Sequence, residues 1–254
     1  MKLMARFLHN KSAMGRFICH IGPPKTATTA IQSALQKISG GSVDYLGTFQ
    51  PRNVNKSKGI YSNLMTLVES QPNRYAIYRN TRKIDNALKF GIDLILSEEM
   101  LLVSQHGAGF EQKLQRLGQV INRYPSVIII SLREPVAALK SFYAEIYFRQ
   151  QVQPRISFEE FLTSNQARVF DYLYLLETLR KYGFDNVRFV SIQRGQNEIK
   201  LADFTGHQEH DQLLQLSNAN QTEAIFREQV DALEVPEHLA LHLRKGYAHA
   251  LDLV

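Results

Sequence analysis

Lys25, Thr26, Thr28 and Thr29 follow Gly22-Pro23-Pro24 at the end of a short apolar run, Phe17–Ile21. An ammonium group and three hydroxyls, arriving where a helix should begin, are suited to holding an anion. The open backbone N–H groups of a helix start and its dipole act in the same direction. Lysine adds a point charge, and threonine hydroxyls add neutral donors. A helix cap would account for one threonine but not for the lysine and three hydroxyls together. The expected ligand is therefore of the phosphate or nucleotide type.

The loop departs from the ATP/GTP cradle G-x-x-x-x-G-K-[ST]. Pro24 stands where that motif has glycine, and Ala27 follows where another glycine would help. Pro24 has no N–H for a phosphate, so the cradle is shorter than one built for a triphosphate. The run Pro24-Lys25-Thr26-Ala27-Thr28-Thr29 resembles the 5′-phosphosulfate loop of sulfotransferases that use 3′-phosphoadenosine 5′-phosphosulfate (PAPS). That resemblance implies that these six residues contact the nucleotide and that Lys25 stabilises the leaving phosphate.

A second anion site is expected after the apolar run Val127–Leu132, at Arg133-Glu134-Pro135. Proline near a first helical turn makes a sound strand-to-helix junction. Ser141 lies about two turns further on, so a phosphate there could receive a guanidinium fork and a hydroxyl. Arg133, Pro135, Ser141 and Tyr143 resemble the 3′-phosphate motif of the same family. Ala138 departs from it, where many relatives carry another basic residue. Two anion sites at two strand ends suit a nucleotide phosphorylated at both its 5′ and 3′ positions.

For the proton, the run Ile92–Leu96 delivers Ser97-Glu98-Glu99 to the same end of the sheet. Side chains alternate along a strand, so only one of the two carboxylates should face a ligand while the chain stays extended. In bacterial sulfotransferases a similar Ser-x-Glu followed by an apolar residue maps onto Ser97, Glu99 and Met100. The resemblance implies Glu99 as general base, with Glu98 the alternative. A helix first turn with acids complementing its dipole would also explain the pair. His20 is a second group with proton chemistry, read here as a hydrogen-bonded core residue. Cys19 reads as a buried small hydrophobe, and Asp171, Tyr172 and Tyr174 as packing and surface. His106, His207 and His210 show no metal-ligand spacing. No carboxylate is placed as a Mg²⁺ ligand, so no metal is expected.

These groups need strands to carry them. Phe17–Ile21, Ile92–Leu96, Val127–Leu132 and Val187–Ile192 are short, continuous and rich in Ile, Val or Phe, as strands buried on both faces are. Helical patterns separate them over Thr28–Lys37, Phe110–Arg123, Val136–Gln151 and Val169–Tyr182, with stops at Ser39-Gly40-Gly41 and Gly183. Val43 to Phe90 should hold an extra strand near Tyr45-Leu46 and helices over Tyr61–Glu69 and Tyr75–Lys89, forming a lid or acceptor wall. Alternation of this kind means an α/β fold with a parallel sheet covered on both faces. Ligands then bind beyond the strand carboxyl ends, at Gly22–Thr29, Ser97–Met100, Arg133–Pro135 and Gln193–Arg194. The resemblance implies a three-layer, P-loop NTPase-like fold.

The likeness spans roughly residues 16–206. It includes Phe170-Asp171-Tyr172, Tyr182-Gly183-Phe184-Asp185-Asn186-Val187 and Asp203-Phe204-Thr205-Gly206. One domain over 1–254 is expected, with a helical C-terminal extension at 207–254. Arg244-Lys245-Gly246 resembles the Arg-Lys-Gly of cytosolic sulfotransferases, but it lacks the surrounding motif and reads as a helix end.

At 254 residues and 44% hydrophobic content, the chain can bury one full core. No apolar run approaches a transmembrane span, and the first residues lack a signal-like apolar region. The single cysteine cannot form an intrachain disulfide. A cytoplasmic location is the resulting expectation. The net charge of +6 fits either a solvated surface or attraction to a strongly anionic ligand, such as a bisphosphorylated nucleotide or an acidic glycan acceptor. The basic residues look scattered, with no Arg/Lys stripe interleaved with aromatics, so no nucleic-acid partner is expected. The leading expectation is a PAPS-dependent sulfotransferase that moves a sulfuryl group to an acceptor hydroxyl, on a carbohydrate or glycan, and releases 3′-phosphoadenosine 5′-phosphate (PAP). The alternatives are a P-loop small-molecule kinase using ATP and Mg²⁺, or a non-catalytic nucleotide-binding module.

Overall fold

The computed structural model describes residues 14–38, 43–50, 59–70, 73–105, 107–191, 198–200, 202, 213–215 and 226–254. The expected helix stop at 39–41, the strand-end residues Gln193 and Arg194, His106, His207, His210 and the 203–206 segment lie outside them.

Five parallel strands form the central sheet, in the order β2-β3-β1-β4-β5. They are β1 (Phe17–Ile21), β2 (Val43–Gly47), β3 (Asp93–Ser97), β4 (Ser126–Leu132) and β5 (Val187–Ser191). β1 is central and buried throughout. Its residue Cys19 is opposite Leu96 of β3 on one side and Ile128 of β4 on the other. Side chains alternate across the sheet, so Phe17, Cys19 and Ile21 enter one core while Ile18 enters the other. The continuous apolar composition of FICHI thus reflects two covered faces.

On one face, α1 (Thr28–Leu35) packs Ala30, Ile31, Ala34 and Leu35 against Ile18, Ile95 and Ile129. The opposite face is covered by α2 (Ile60–Glu69), α3 (Arg74–Lys89), α4 (Phe110–Ile121), α5 (Pro135–Ala144), α6 (Phe158–Leu162) and α7 (Tyr172–Lys181). Each large apolar side chain buried there contributes about 1.5–3 kcal/mol. After β5 come β6 (Glu198–Lys200) and β7 (Leu213–Gln215), which pair antiparallel, then α8 (Arg227–Asp231) and α9 (Glu237–Leu251).

Several boundaries differ from the sequence reading for local reasons. β3 starts at Asp93, which accepts from the Arg16 backbone N–H at 2.7 Å. α7 starts at Tyr172 because Asp171 caps it, accepting from the Tyr174 N–H. A 3₁₀ turn, Arg168–Phe170, precedes that cap. α5 ends at Ala144 and continues as a π-helical turn, Glu145–Arg149. The C-terminal extension is not purely helical, since β7 belongs to it. Nor is it peripheral: Ala240, Leu243 and Ala250 of α9 join the main core. Arg244-Lys245-Gly246 lies inside α9 rather than at a helix end, and Gly246 lies close against Leu173 of α7. Among the described residues, no helix is long and apolar enough to cross a membrane.

Candidate active site

The loop from β1 to α1 is held in place by the hydroxyls of Thr26 and Ser131. Thr26 is fully buried, and its Oγ1 donates to the Pro23 carbonyl at 2.7 Å and lies 2.8 Å from Ser131 Oγ of β4. Thr26 therefore ties the loop to the sheet with its side chain. Gly22 is required here: a Cβ would come within 2.2 Å of Ser131 Oγ and 2.6 Å of Thr26 Oγ1.

Lys25 and Ala27 take left-handed backbone conformations, with φ of 70° and 62°. Such conformations cost a non-glycine residue about 1–3 kcal/mol and persist only where the surroundings impose them. Alternating handedness turns successive N–H groups toward one concavity, a nest suited to an anion. Ala27 is the N-cap of α1 and offers no side-chain oxygen to it. A helix start without a side-chain cap among the described residues is suited to an anion. Thr29 is exposed one residue into the helix.

The β4 loop meets this one directly. Arg133 Nη1 donates to the Lys25 carbonyl at 3.0 Å. Arg133 is braced in turn by the buried Tyr172, whose hydroxyl donates to its carbonyl at 2.8 Å and accepts from its N–H at 3.2 Å. Burial raises the Tyr172 phenol well above its usual range, so it remains a protonated donor. Glu134 caps α5 through the Ala137 N–H at 2.7 Å, with Pro135 in the first turn.

Ser141 is almost fully buried on α5, and its Oγ has no hydrogen-bond partner among the described residues. A buried hydroxyl without a partner costs about 1–3 kcal/mol. Tyr143 and Ala138, by contrast, belong to the core, and the Tyr143 hydroxyl donates to the Ile156 carbonyl at 2.8 Å. One turn beyond Ser141, Glu145 takes the Lys25 ammonium at 3.5 Å. Arg149 and Gln150 hold the same carboxylate at 3.2 Å and 3.1 Å. Lys25 thus touches both Arg133 of the β4 loop and Glu145, one turn beyond Ser141.

The two glutamates after β3 separate cleanly. Glu98 is buried and saturated with donors: the Met100 N–H at 2.9 Å, the Thr48 hydroxyl at 2.7 Å and the Tyr61 hydroxyl. Glu99 opens a 3₁₀ turn, Glu99–Leu101, and accepts from the Thr28 hydroxyl at the start of α1. The partly exposed carboxylate is therefore the one beside the Lys25 loop. His20 places Nδ1 2.7 Å from Ser97 Oγ, and burial pushes its pKa down to about 3, keeping it neutral. Burial also pushes the Cys19 thiol up, which removes it as a nucleophile.

Three supporting residues escaped the sequence reading. Glu145 falls inside the long helical pattern Val136–Gln151, and its contact with Lys25 depends on how α5 approaches the loop. Tyr172 reads from the sequence as packing and surface, and the structure adds its bracing of Arg133. Lys113 occupies the apolar stripe of α4, fully buried, and donates to the Met100 and Val103 carbonyls at 2.9 Å and 2.8 Å. Burial lowers its pKa. It braces the turn that carries Glu99, and a lysine three residues past Phe110 on an apolar stripe was the available signal.

No protein-family model matches this chain, and no curated protein matches it.

Proposed function

We propose that the chain is a sulfotransferase that takes the sulfuryl group of PAPS to an acceptor hydroxyl on a carbohydrate or glycan. The observation that carries this reading is the Arg133–Lys25 hydrogen bond, which makes one site of two anion-binding loops. A nucleotide phosphorylated at both 5′ and 3′ positions needs both loops, whereas a triphosphate cradle needs only the first. The sheet order, with the loop-bearing strand at its centre, supports a P-loop NTPase-like arrangement for the three layers.

The residues fit such a ligand. The nest at Lys25 and Ala27, with the open start of α1, suits a 5′-phosphosulfate. Arg133 and the Ser141 hydroxyl, which has no partner among the described residues, suit a 3′-phosphate. When bound, PAPS supplies a sulfuryl group whose bond to phosphate breaks as a bond to the acceptor oxygen forms, leaving PAP.

The chain's part is binding, orientation and charge. Lys25 turns its ammonium from Glu145 toward the phosphosulfate and stabilises the charge that develops there. The α1 dipole adds to that field without reorganising. Glu99 accepts the proton of the acceptor hydroxyl, and the Thr28 hydroxyl and the Lys113-braced turn hold its carboxylate in place. Glu98 anchors the strand end to Thr48 and Tyr61.

Calorimetry with PAP beside ATP tests the reading. PAP should bind without Mg²⁺ and displace ATP readily. Absence of PAP binding would overturn the proposal and favour the kinase alternative if ATP then bound with Mg²⁺.

A further inference from the structure

Helix α3 carries five cations, Arg74, Arg79, Arg82, Lys83 and Lys89, against one acid, Asp85. Asp85 faces the Tyr124 hydroxyl, whose pKa is raised by burial and then by that contact. At about 100° per residue, Tyr75, Tyr78, Arg79, Arg82, Asn86 and Lys89 fall within a single stripe. All six are exposed. Tyr75 is 71% exposed and Tyr78 60%, and Phe90, just past the helix, is 80% exposed. Tyr75 and Tyr78, one turn apart, form a pair of neighbouring rings of a kind seldom left in water without a partner. The basic residues that look scattered along the sequence are therefore gathered by the fold, with aromatics between them.

We infer that this face of α3 docks an acidic polysaccharide, the polymer that carries the acceptor hydroxyl; the inference rests on the sulfotransferase reading above. Three observations select that partner. First, the stripe lies beside the helix that borders the strand end: Arg79 reaches Asn63 in the first turn of α2 at 3.2 Å, and Tyr61, on the opposite side of that turn, bonds Glu98. Second, Arg79, Arg82 and Lys89 are spaced about 4.5 Å and about 10.5 Å apart along the axis. A nucleic-acid strand presents a charge about every 3.4 Å, while an acidic polysaccharide carries one per sugar or per disaccharide, a sparser match. Third, Ile84 and Leu88 are consumed by the core, so the exposed stripe of α3 offers tyrosine rings and cations but no aliphatic side chain to enter a lipid surface. The tyrosine rings stack on sugar faces, and the guanidinium groups fork onto carboxylate or sulfate.

The test uses the full chain and a size-defined oligogalacturonate, with a single-stranded oligothymidylate as competitor and PAP titrated in parallel. The wild type should bind the oligogalacturonate more tightly than the oligothymidylate. The doubles Arg79→Ala/Arg82→Ala and Tyr75→Ala/Tyr78→Ala should each weaken binding about tenfold, as expected for losing paired charge or stacking. Both should keep wild-type PAP affinity and thermal midpoint. The charge-matched control Arg180→Ala/Lys181→Ala, exposed at the end of α7, should bind the oligosaccharide as the wild type does. Equal weakening by the control would mean a non-specific ionic surface, and tighter oligothymidylate binding would assign the stripe to nucleic acid; either result overturns the inference. If PAP binds and oligogalacturonate does not, only the docking inference falls. If PAP does not bind, the sulfotransferase reading falls, whatever the stripe holds.

Discussion

Arg133 at the end of β4 donates its Nη1 proton to the backbone carbonyl of Lys25 at 3.0 Å. The bond fixes the residue whose φ of 70° shapes the anion nest. It therefore makes the second loop a structural condition of the first. A guanidinium suits such a bridge because its five N–H donors sit in one rigid planar fork.

Arg133→Ala should weaken PAP binding by about tenfold to a hundredfold, the range for losing a charged hydrogen bond. Arg133→Lys should recover little of it, because a point charge cannot bond the carbonyl and a phosphate together. Calorimetry decides, and a fully rescued lysine variant would remove the bridging role.

Lys25→Ala and Glu99→Gln should both abolish sulfuryl transfer, but by different routes. Glu99→Gln should keep PAP affinity, whereas Lys25→Ala should lose it. Glu98→Gln should leave turnover in place and lower the thermal midpoint, since Glu98 serves three donors at the strand end. If Glu98→Gln were inactive while stably folded, the assignment of the two glutamates would be reversed.

Glu145 holds the Lys25 ammonium at 3.5 Å, and on the proposed reading it competes with PAP for that charge. Replacing it with glutamine leaves one oxygen to accept from Arg149 and Gln150 but removes the charge and the second acceptor, which Arg149 also uses. PAP should then bind about fivefold more tightly, the scale of one partly screened ion pair. Weaker binding would show instead that Glu145 supports the lysine in its working position.

His20 should give the protein an acid-sensitive stability. Its pKa falls from the usual 6.5 to about 3 because burial disfavours the charged ring. Between those values the unfolded chain binds a proton that the native state lacks. Stability therefore falls as pH falls through that window, by about tenfold in the folding constant per pH unit. Urea unfolding from pH 7 to 4 should show a shallower decline for His20→Asn than for the wild type. Parallel curves would exclude His20 as the source.

Some of this was legible in short stretches. β1, β4 and β5 declare themselves as apolar runs, and Gly22-Pro23-Pro24-Lys25 marks its turn through backbone restrictions that act within a few residues. β2 was visible only as Tyr45-Leu46, because an edge strand with the exposed Asp44 lacks the two-faced apolar signal. The break between α5 and its π-helical turn left no mark, since both share helical residue types. The stripe on α3 was hidden for another reason. Its cations are three or more residues apart in the chain, and only the 3.6-residue turn lines them up with Tyr75 and Tyr78.

The sequence alone determined the alternation of strands and helices, the chemistry of the Lys25 loop and the arginine that follows β4. Those features depend on neighbouring residues, so they can be read locally. Which glutamate is sequestered, where Lys25 finds its carboxylate and how Arg133 reaches a carbonyl 108 residues away were decided by tertiary structure. Burial and long-range hydrogen bonding settle such matters, and neither exists until the sheet has brought β1, β3 and β4 side by side.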